Sequence, residues 1–330
     1  MTIKVRQGEI AKACGVSVST VSRVLNGVAG ISPEVRKKVL RTAESLGMAL
    51  PQKIPGRSSA SSILVLAPMP ILSAQAGQFH TDILAGLGEA AAAHGVKMVC
   101  LPAGDPREVA AAMEDQDGLI LLSMNSGEVL SAARNRNLPI VLLNSEPTAD
   151  ADSFDTVLPD NYGGGAKAYA CFNELVHSHL AFVSHSDRVT IRQRLAGFAA
   201  NEDQAIPVLD LPLGCPAETA SERLGKLLSD AGTTAFACSN DITAIAVIQA
   251  LGRLGLSVPE DISVIGFDDL PQAAMFRPPL TTLQIDREAL GAAAFRRLMT
   301  KIETHDEPAM RQIMATRLIV RESTAPLHRK

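Results

Sequence analysis

Small polar side chains and one arginine recur at helical spacing in a short segment near the start of the chain. The segment reads SVSTVSRVLNG, Ser17–Gly27. The forked guanidinium of Arg23 matches the O6 and N7 acceptors of guanine, whereas the hydroxyls of Thr20 and Ser22 suit phosphate oxygens. These residue types predict contacts with DNA. The predicted contact residues, in this segment and around it, are Arg6, Gln7, Ser17, Val18, Ser19, Thr20, Ser22, Arg23, Asn26 and Arg57.

A second group of polar side chains comes directly after apolar runs. Asn144 follows IVLL, Asn240 follows AFACS and Asp268 follows VIGF. In open α/β sheets a ligand binds beyond the carboxyl ends of the strands, so these residues are candidate ligand contacts. Carboxylates and amides that face a cleft can each bind neighbouring hydroxyls, which suits a polyol, a sugar or a sugar acid.

Three short helical patterns position the first group. They cover Gln7–Cys14, Ser19–Asn26 and Pro33–Leu46, with Gly15 placed to end the first helix and Ser17 to cap the second. Two short helices joined by such a turn predict a helix-turn-helix whose second helix enters the major groove. An ordinary helical hairpin is the alternative. The apolar residues assigned to the core of this head are Val21, Val24 and Leu25.

Charge is distributed unevenly along the 330 residues. Residues 1–62 hold ten basic and three acidic side chains, a net charge of +7, whereas the whole chain carries −4 and the remainder therefore −11. A basic head on an acidic body favours binding of a polyanion by the head. The composition gives no sign of a secretory signal, a membrane span or a CxxC pair, so we expect a protein of the reducing cytoplasm.

The rest of the chain alternates apolar runs with alanine-rich helical patterns. Seven runs predict strands: SILVLAP, KMVCLPA, GLILLS, IVLLNSE, HLAFVSH, AFACSND and ISVIGFDD. This alternation is typical of mainly parallel sheets, and seven strands over about 260 residues suit two doubly wound lobes. Before them, the Pro-, Gly- and Ser-rich segment LPQKIPGRSSASS has the composition of a linker.

The segment GEIAKACGVSVSTVSRVLNGVAGISPEVRKKVLRTAESLG closely resembles the N-terminus of lac/galactose-repressor family regulators. The resemblance continues through RLAGF, SNDITAIAVIQALGRLGLSVPEDISVIGFDD and PPLTTLQID, and so covers nearly the whole chain. It implies an N-terminal all-α helix-turn-helix domain (1–49), a linker (50–62) and a core (63–330) shaped like a periplasmic sugar-binding protein. The α/β core would have two doubly wound parallel-sheet lobes. Lobe one covers about 63–160 and 287–320, and lobe two about 161–286 and 321–330.

The resemblance also implies a homodimer that binds a palindromic operator and responds to a small-molecule effector between the lobes. The residues that correspond to effector contacts are Phe79, His80, Asn144, Arg194, Asn240 and Asp268. Several assignments have rivals. Phe79 could be core, Asp241 could cap a helix or touch the ligand, and Asp269 could hold its own loop. The family favours Arg194 over Arg192 for the cleft, and at Asn144 some relatives have Asp.

The linker departs from the family pattern. Relatives commonly form a short helix here that pushes a leucine into the minor groove, whereas this chain has Arg57 after Pro55 and Gly56. Proline and glycine disfavour a helix, so Arg57 either enters a narrow minor groove or lies in a disordered tether. Because the chain ends in APLHRK without a leucine heptad, we expect a dimer rather than a tetramer.

No enzyme motif is present, because GxSxG, HExxH, GxxxxGK[ST] and GxGxxG are all missing. The glycines Gly163–Gly165 lack the Lys and Ser/Thr of a phosphate loop. His177 and His179 could suggest a metal, but without a third nearby ligand a structural pair is the favoured interpretation. We therefore predict a regulator that needs no cofactor or metal. The alternatives are a sugar-binding transport protein and a sugar-acting enzyme.

Overall fold

The computed structural model describes residues 7–25, 31–46, 60–72, 77–103, 106–146, 154–202, 205–304 and 308–327. The chain divides into two compact units, Met1–Arg57 and Ser58–Lys330, and each is described by itself. Arg6, Asn26 and Arg57 lie outside the described residues, and so does most of the linker.

The described residues of the first unit form three helices: α1 (Gln7–Cys14), α2 (Val18–Leu25) and α3 (Pro33–Ser45). α1 agrees with the prediction, and α2 begins and ends one residue earlier than predicted. Gly15 has a φ of 65°, the left-handed conformation expected at the end of α1. The three helices enclose a small apolar core in which Ile10, Val21 and Val39 are fully buried.

The second unit contains two six-stranded sheets. The first sheet consists of β1 (Ser62–Ala67), β2 (Lys97–Pro102), β3 (Gly118–Leu122), β4 (Ile140–Leu143), β5 (Asp155–Pro159) and β11 (Arg311–Met314). Its strand order is β11-β5-β4-β3-β1-β2, with every neighbouring pair parallel. Four of these strands, β1, β3, β4 and β5, are buried along their full length, as expected for strands covered on both faces.

The second sheet consists of β6 (Leu180–Ser184), β7 (Val208–Asp210), β8 (Ala235–Cys238), β9 (Ser263–Asp268), β10 (Thr281–Gln284) and β12 (Arg317–Ile319). Its order is β12-β10-β9-β8-β6-β7, and only the edge strand β12 runs antiparallel to its neighbour. The fold class is therefore the predicted one, a helical head plus two doubly wound lobes.

Helices cover both sheets. They are α4 (Met69–Leu72), α5 (Gln78–Ala93), α6 (Pro106–Ala112), α7 (Gly127–Asn135), α8 (Asn161–Glu174), α9 (Val189–Ala199), α10 (Ala217–Ala231), α11 (Asp241–Arg253), α12 (Pro271–Met275) and α13 (Arg287–Glu303). α13 packs against α5 in the first lobe, and α8 packs against α9 in the second. Among the described residues, no helix combines the length and the apolar character needed to cross a membrane.

All seven predicted strands are present, and five further strands were missed. Three of the missed strands, β10, β11 and β12, are short and carry threonine, glutamine or arginine, so they form no apolar run. β12 also differs from the predicted lobe limits. The sequence assigned residues up to about 320 to lobe one, whereas Arg317–Ile319 pairs with β10 in the second sheet.

The chain passes between the lobes three times, and each passage is short. Asp160 joins β5 to α8, Ile285 and Asp286 join β10 to α13, and Ala315 and Thr316 join β11 to β12. Two of these connections contain a helix cap. The Asp160 carboxylate accepts a hydrogen bond from the backbone N–H of Gly163 at 2.8 Å, and that of Asp286 accepts one from Ala289 at 2.9 Å.

Glycines bring α8 and α9 into direct backbone contact. A Cβ at Gly165 would overlap the carbonyl oxygen of Arg194, and one at Gly197 would overlap the carbonyl oxygen of Tyr162. The run Gly163–Gly165, which sequence analysis considered only as an incomplete phosphate loop, lies in the first turns of α8. Its last glycine serves this close approach and so positions the helix that carries Arg194.

Candidate nucleic-acid interface and ligand cleft

One face of α2 is buried in the head and the other is exposed. Val21 and Val24 face the core with 0% and 3% exposure, whereas Val18 is 52% exposed and Arg23 is also exposed. The apolar residues at helical spacing therefore hold α2 in place, while Arg23 lies on the side open to solvent.

Hydroxyl groups order the start of α2. Ser17 Oγ accepts a hydrogen bond from the backbone N–H of Thr20 at 3.1 Å, which is the predicted N-cap. The same oxygen lies 2.8 Å from Ser19 Oγ and 2.7 Å from Thr20 Oγ1. Ser17 and Ser19 are exposed, and Thr20 and Ser22 are half-buried. The hydroxyls of Ser17, Ser19 and Thr20 form one cluster at the N-terminal end of the helix, where phosphate contacts are expected.

Gln7, the remaining described member of the predicted DNA contacts, is half-buried at the first position of α1. Of the residues that the sequence assigned to DNA contacts, the described ones thus lie on α1, on α2 or just before α2. Their contact with DNA stays a prediction.

A polar cavity of about 350 Å³ lies between the two lobes of the second unit. It opens at the carboxyl ends of β3, β4 and β6, which is where a ligand binds in this fold class. Lobe one contributes Ser123, Asn125, Asn144, Ser145 and Glu146, and lobe two contributes Asp187, Arg188, Val189, Thr190 and Arg192.

Asn144 and His80 meet at one hydroxyl beside this cavity. Asn144 Nδ2 donates to Ser123 Oγ at 2.9 Å, and His80 Nε2 lies 3.1 Å from the same oxygen. Burial, reinforced by the charge of Arg188, lowers the pKa of His80 to about 4, so its imidazole is neutral at pH 7. Asn144 Oδ1 is buried and has no hydrogen-bond partner among the residues that the structure describes. An unpaired acceptor at this place would gain a hydrogen bond from a ligand donor.

Phe79 belongs more to the core than to the cavity. Its side chain is half-buried and packs against the large apolar cluster that both sheets share with their helices. The ring contacts that of His80 edge to face, with centroids 5.1 Å apart. Of the two alternatives for Phe79, the geometry favours the core.

Arg194 and Asp268 form a buried ion pair. Arg194 Nη1 lies 3.4 Å from Asp268 Oδ1, and both side chains are less than 10% exposed. Arg194 Nε also donates to Asn161 Oδ1 at 3.0 Å, Nη1 donates to the carbonyl of Ser239, and the guanidinium lies 3.7 Å from the centroid of the Phe267 ring. Burial raises the pKa of Asp268 to about 6 although the arginine opposes this. Neither residue lines the cavity described above.

The polar residues after β8 and β9 have separate roles. Asn240 Oδ1 accepts from the backbone N–H of Thr243 at 2.8 Å, so Asn240 caps α11. The idea that Asp241 caps this helix is therefore wrong. Its carboxylate oxygens accept from Leu270 N at 2.7 Å and from Thr282 Oγ1 at 2.5 Å instead.

Asp269 and Arg192 also have partners of their own. Asp269 accepts from Arg321 at 2.6 Å and from Gln284 at 2.8 Å, which holds its own loop. Arg192 is exposed and pairs with Asp187 at 3.0 Å. The contacts of Asp269 fit the alternative in which it holds its own loop. Arg192, over which the family resemblance favours Arg194, nevertheless lines the cavity.

Two hydrogen bonds that the sequence did not predict span the cleft. Arg188 Nη2 donates to the backbone carbonyl of Asn144 at 3.3 Å, and Gln193 Nε2 donates to Glu146 Oε2 at 2.9 Å. Arg188 follows β6 by a few residues, as Asn144 follows β4. The rule that identified Asn144, a polar residue after an apolar run, would have found Arg188 as well.

His177 has a structural role. Its Nδ1 lies 3.0 Å from Thr234 Oγ1, and its Nε2 lies 3.0 Å from Ser263 Oγ and from the carbonyl oxygen of Ala325. Within the described ranges, no three His, Cys, Asp or Glu residues are grouped so that they could hold a metal ion. Hydrogen bonds therefore account for His177, whereas His179 is exposed.

Two family models match the chain, one in each unit. Residues 8–49 match the model of bacterial regulatory proteins of the lacI family, and residues 170–324 match that of the periplasmic binding protein-like domain. The first match covers the three helices of the head except Gln7, the first residue of α1. The second covers most of the second lobe, together with α13 and β11.

Known proteins are similar over almost the full length. The chain is 28% identical to the HTH-type transcriptional regulator DegA of Bacillus subtilis, over 97% of this chain and 98% of that protein. It is also 28% identical to the HTH-type transcriptional repressor PurR of Aliivibrio fischeri, over 96% and 97%. Among solved structures, the complex of the transcriptional regulator CelR with cellobiose superposes with a TM-score of 0.69 and 26% identity, over 97% of this chain and 100% of that one.

Proposed function

Since this chain belongs to the lacI family of bacterial regulatory proteins, we propose that it is a sequence-specific transcriptional repressor. It acts as a homodimer on a palindromic operator and is controlled by a small effector bound between the lobes of its core. The observation that carries this proposal is the exposed face of α2, which presents Arg23 on a head of strongly positive charge.

On the DNA side, α2 enters the major groove. Arg23 reads guanine, and the hydroxyl cluster around Ser17 contacts phosphates. Two heads related by two-fold symmetry read two half-sites at least one helical turn, about 34 Å, apart. A palindromic operator follows from that symmetry, and a single head would read only half of it.

On the effector side, the polar cavity between the lobes binds a sugar, a sugar acid or a similar molecule. The cellobiose complex of CelR supports this class of ligand. The effector binds the open and closed arrangements of the lobes with different affinity. The operator binds the heads, and its affinity also differs between the two arrangements. Effector and operator affinities are then coupled thermodynamically.

The cleft binds its ligand without converting it, and the chain works in the cytoplasm where its operator lies. Relatives of nearly equal length are named as transcriptional regulators, which supports a regulatory rather than an enzymatic role. A sugar-binding transport protein would share the core, but it would have no use for a basic helical head.

The test is binding of the full-length chain to duplexes that it selects from a random pool, followed by gel shift at increasing salt. Binding should weaken steeply with salt, because phosphate contacts release counterions. Arg23→Ala should lose the preference for the selected duplex over a scrambled one, a discrimination of about 1–3 kcal/mol for one bidentate base contact.

Arg41→Ala is the matched control, because Arg41 is an exposed arginine on α3 of the same head. It should weaken binding to both duplexes alike and keep the preference. If Arg23→Ala discriminates as the unsubstituted chain does, the assignment of Arg23 to base reading is wrong. If no duplex is selected, the proposed function itself fails.

A further inference from the structure

Lobe two places three arginines at or near the cleft, and among the described residues only one of these three forms no ion pair. Arg192 pairs with Asp187 at 3.0 Å, and Arg194 pairs with Asp268 at 3.4 Å. Arg188 lines the cavity and is half-buried, but it forms no ion pair within the part of the chain that the structure describes. Its contact there is with a neutral group, the backbone carbonyl of Asn144.

The carboxylates around the cavity are engaged with other arginines. Asp268 attracts the charge of Arg188 from beyond ion-pair distance, but its ion pair is with Arg194. Glu146, the acidic residue of the cavity wall in lobe one, forms an ion pair with Arg311 and also accepts from Gln193. His80 and His185 are neutral at pH 7, because burial first and nearby arginines second lower the pKa of each to about 4. Among the described residues that line the cavity, Arg188 is therefore the cation without an acid in ion-pair contact.

A half-buried cation without a partner is unfavourable, and an anionic ligand group would supply the partner. The neighbouring Asn144 Oδ1, a buried acceptor without a hydrogen bond, calls for a ligand donor such as a hydroxyl. Because Arg188 touches the backbone of Asn144, one small molecule can meet both groups. Ser123, Asn125 and Thr190 add neutral polar groups to the same cavity.

We infer that the effector is a hydroxylated anion, a sugar acid or a sugar phosphate, whose carboxylate or phosphate binds Arg188 while a hydroxyl donates to Asn144 Oδ1. This inference rests on the proposed function in so far as it places the effector in this cleft. It narrows the ligand class from sugars in general to those with a negative charge.

Calorimetry on the full-length chain tests the inference with matched pairs of compounds. The acidic members are the uronates, aldonates and 6-phosphates of glucose, galactose and mannose, and each is compared with its neutral sugar or sugar alcohol. At least one acid should bind at least about tenfold more tightly than its neutral counterpart, the size expected for a charge-assisted contact. The carboxylate and phosphate arms identify which anion fits. Equal or tighter binding of the neutral partners, or no binding by any acid, would overturn the inference.

Variants of Arg188 connect this preference to the residue. Arg188→Gln should reduce the affinity for the acid about 10- to 100-fold and leave any affinity for the neutral partner unchanged. Arg188→Lys should restore a part of the preference, because it keeps the charge. The control is Arg253→Gln, which removes an exposed cation in the last turn of α11, outside the residues that line the cavity. It should keep the preference for the acid. If Arg188→Gln keeps the preference as well, the inference is wrong.

Gel shift with the selected duplex separates this inference from the proposed function. A chain that binds the acid through Arg188 but selects no duplex would contradict the regulatory function and support the ligand class. A chain that binds its duplex and is released only by neutral sugars would support the function and refute the ligand class.

Discussion

Asp241 is fully buried at the start of α11, where its two carboxylate oxygens accept hydrogen bonds from Leu270 and Thr282. Burial, assisted by the nearby charge of Asp268, raises the pKa of Asp241 to about 8. Folding therefore favours the protonated form of this side chain over a wide range of pH.

This burial predicts how stability changes with pH. Between pH 4 and 8 the folded chain binds more protons at Asp241 than the unfolded chain does, so ionisation costs stability as pH rises. Below pH 6.5, His80 and His185 act in the opposite direction, because their pKa values are lowered to about 4. From pH 6.5 to 8 the free energy of unfolding should fall, by at most about 1.4 kcal/mol per pH unit for one group.

Asp241→Asn should flatten this dependence, because the amide keeps the shape of the side chain and does not titrate. Chemical denaturation of the full chain at several pH values measures the slope. Asp187→Asn removes an exposed carboxylate from the rim of the cleft and serves as the control. An unchanged slope in Asp241→Asn would show that another group causes the pH dependence.

Single residues show how far the sequence predicts the cleft. Asn144 was predicted from its place after an apolar run, and it does line the cavity. Arg194 was predicted from the family resemblance. Its positive charge is neutralised by an ion pair with Asp268, which ends a strand about 70 residues later in the chain. The arginine predicted for the cleft was Arg194 in preference to Arg192, and Arg188 was not among the predicted residues. Which of three nearby arginines lacks an acid depends on tertiary contacts, and the sequence does not show these.

At the scale of elements, the crossing of α8 and α9 sets the position of the second lobe's side of the cleft. Gly165 lies against the carbonyl oxygen of Arg194, so the two backbones touch where most helix pairs have side chains between them. α9 begins at the residue after Arg188 and carries Arg194. A change in the distance between these helices therefore moves the cleft's arginines.

Gly165→Ala should destabilise the core by about 1–3 kcal/mol or more, because the added methyl has no room and the helices must separate. It should also weaken effector binding. Gly252→Ala is the matched control, since Gly252 lies in α11 with nothing within 4 Å of the added carbon. That change should leave stability equal or raise it by up to about 1 kcal/mol. Thermal unfolding compares the two, and an equal effect of both variants would contradict this account of the crossing.

Strands that consist of an apolar run were predicted from the sequence. Strands whose polar residues are buried by tertiary contacts were missed. β10 is an example. Thr281 and Thr282 are fully buried, yet their hydroxyls bind Arg321 and Asp241. A threonine strand of this kind has no hydrophobic signal, because its polar atoms are satisfied by residues distant in the sequence. The helix α7, GEVLSAARN, was likewise missed for its mixed composition.

At the scale of the whole molecule, the proposed function predicts a reciprocal coupling. If the effector changes operator affinity by some factor, saturating operator must change effector affinity by the same factor. A tenfold effect requires about 1.4 kcal/mol of differential affinity. Calorimetric titration of the effector, with and without the selected duplex, checks the equality against gel-shift titration of the duplex. A ligand that binds the cleft without any change in duplex affinity would refute the allosteric mechanism.

The division into head and two lobes was predicted from composition and resemblance, and the structure confirms this fold class. The last crossing of the chain from lobe one to lobe two was predicted at about residue 320, which is after β12 and not before it. The three residues of β12 are too few to be recognised as a strand from sequence. Only pairing with β10 shows where this segment belongs.

The three passages between the lobes have a mechanical consequence. Each has only one or two residues, and Asp160 and Asp286 are further tied down as helix caps. Thr316 is held to lobe two, because its carbonyl accepts from Lys167 Nζ at 2.7 Å. Connections of this length are too short to let one lobe slide over the other. The lobes must therefore move by rotation relative to each other, and the backbone torsion angles of these few connecting residues must change to allow it.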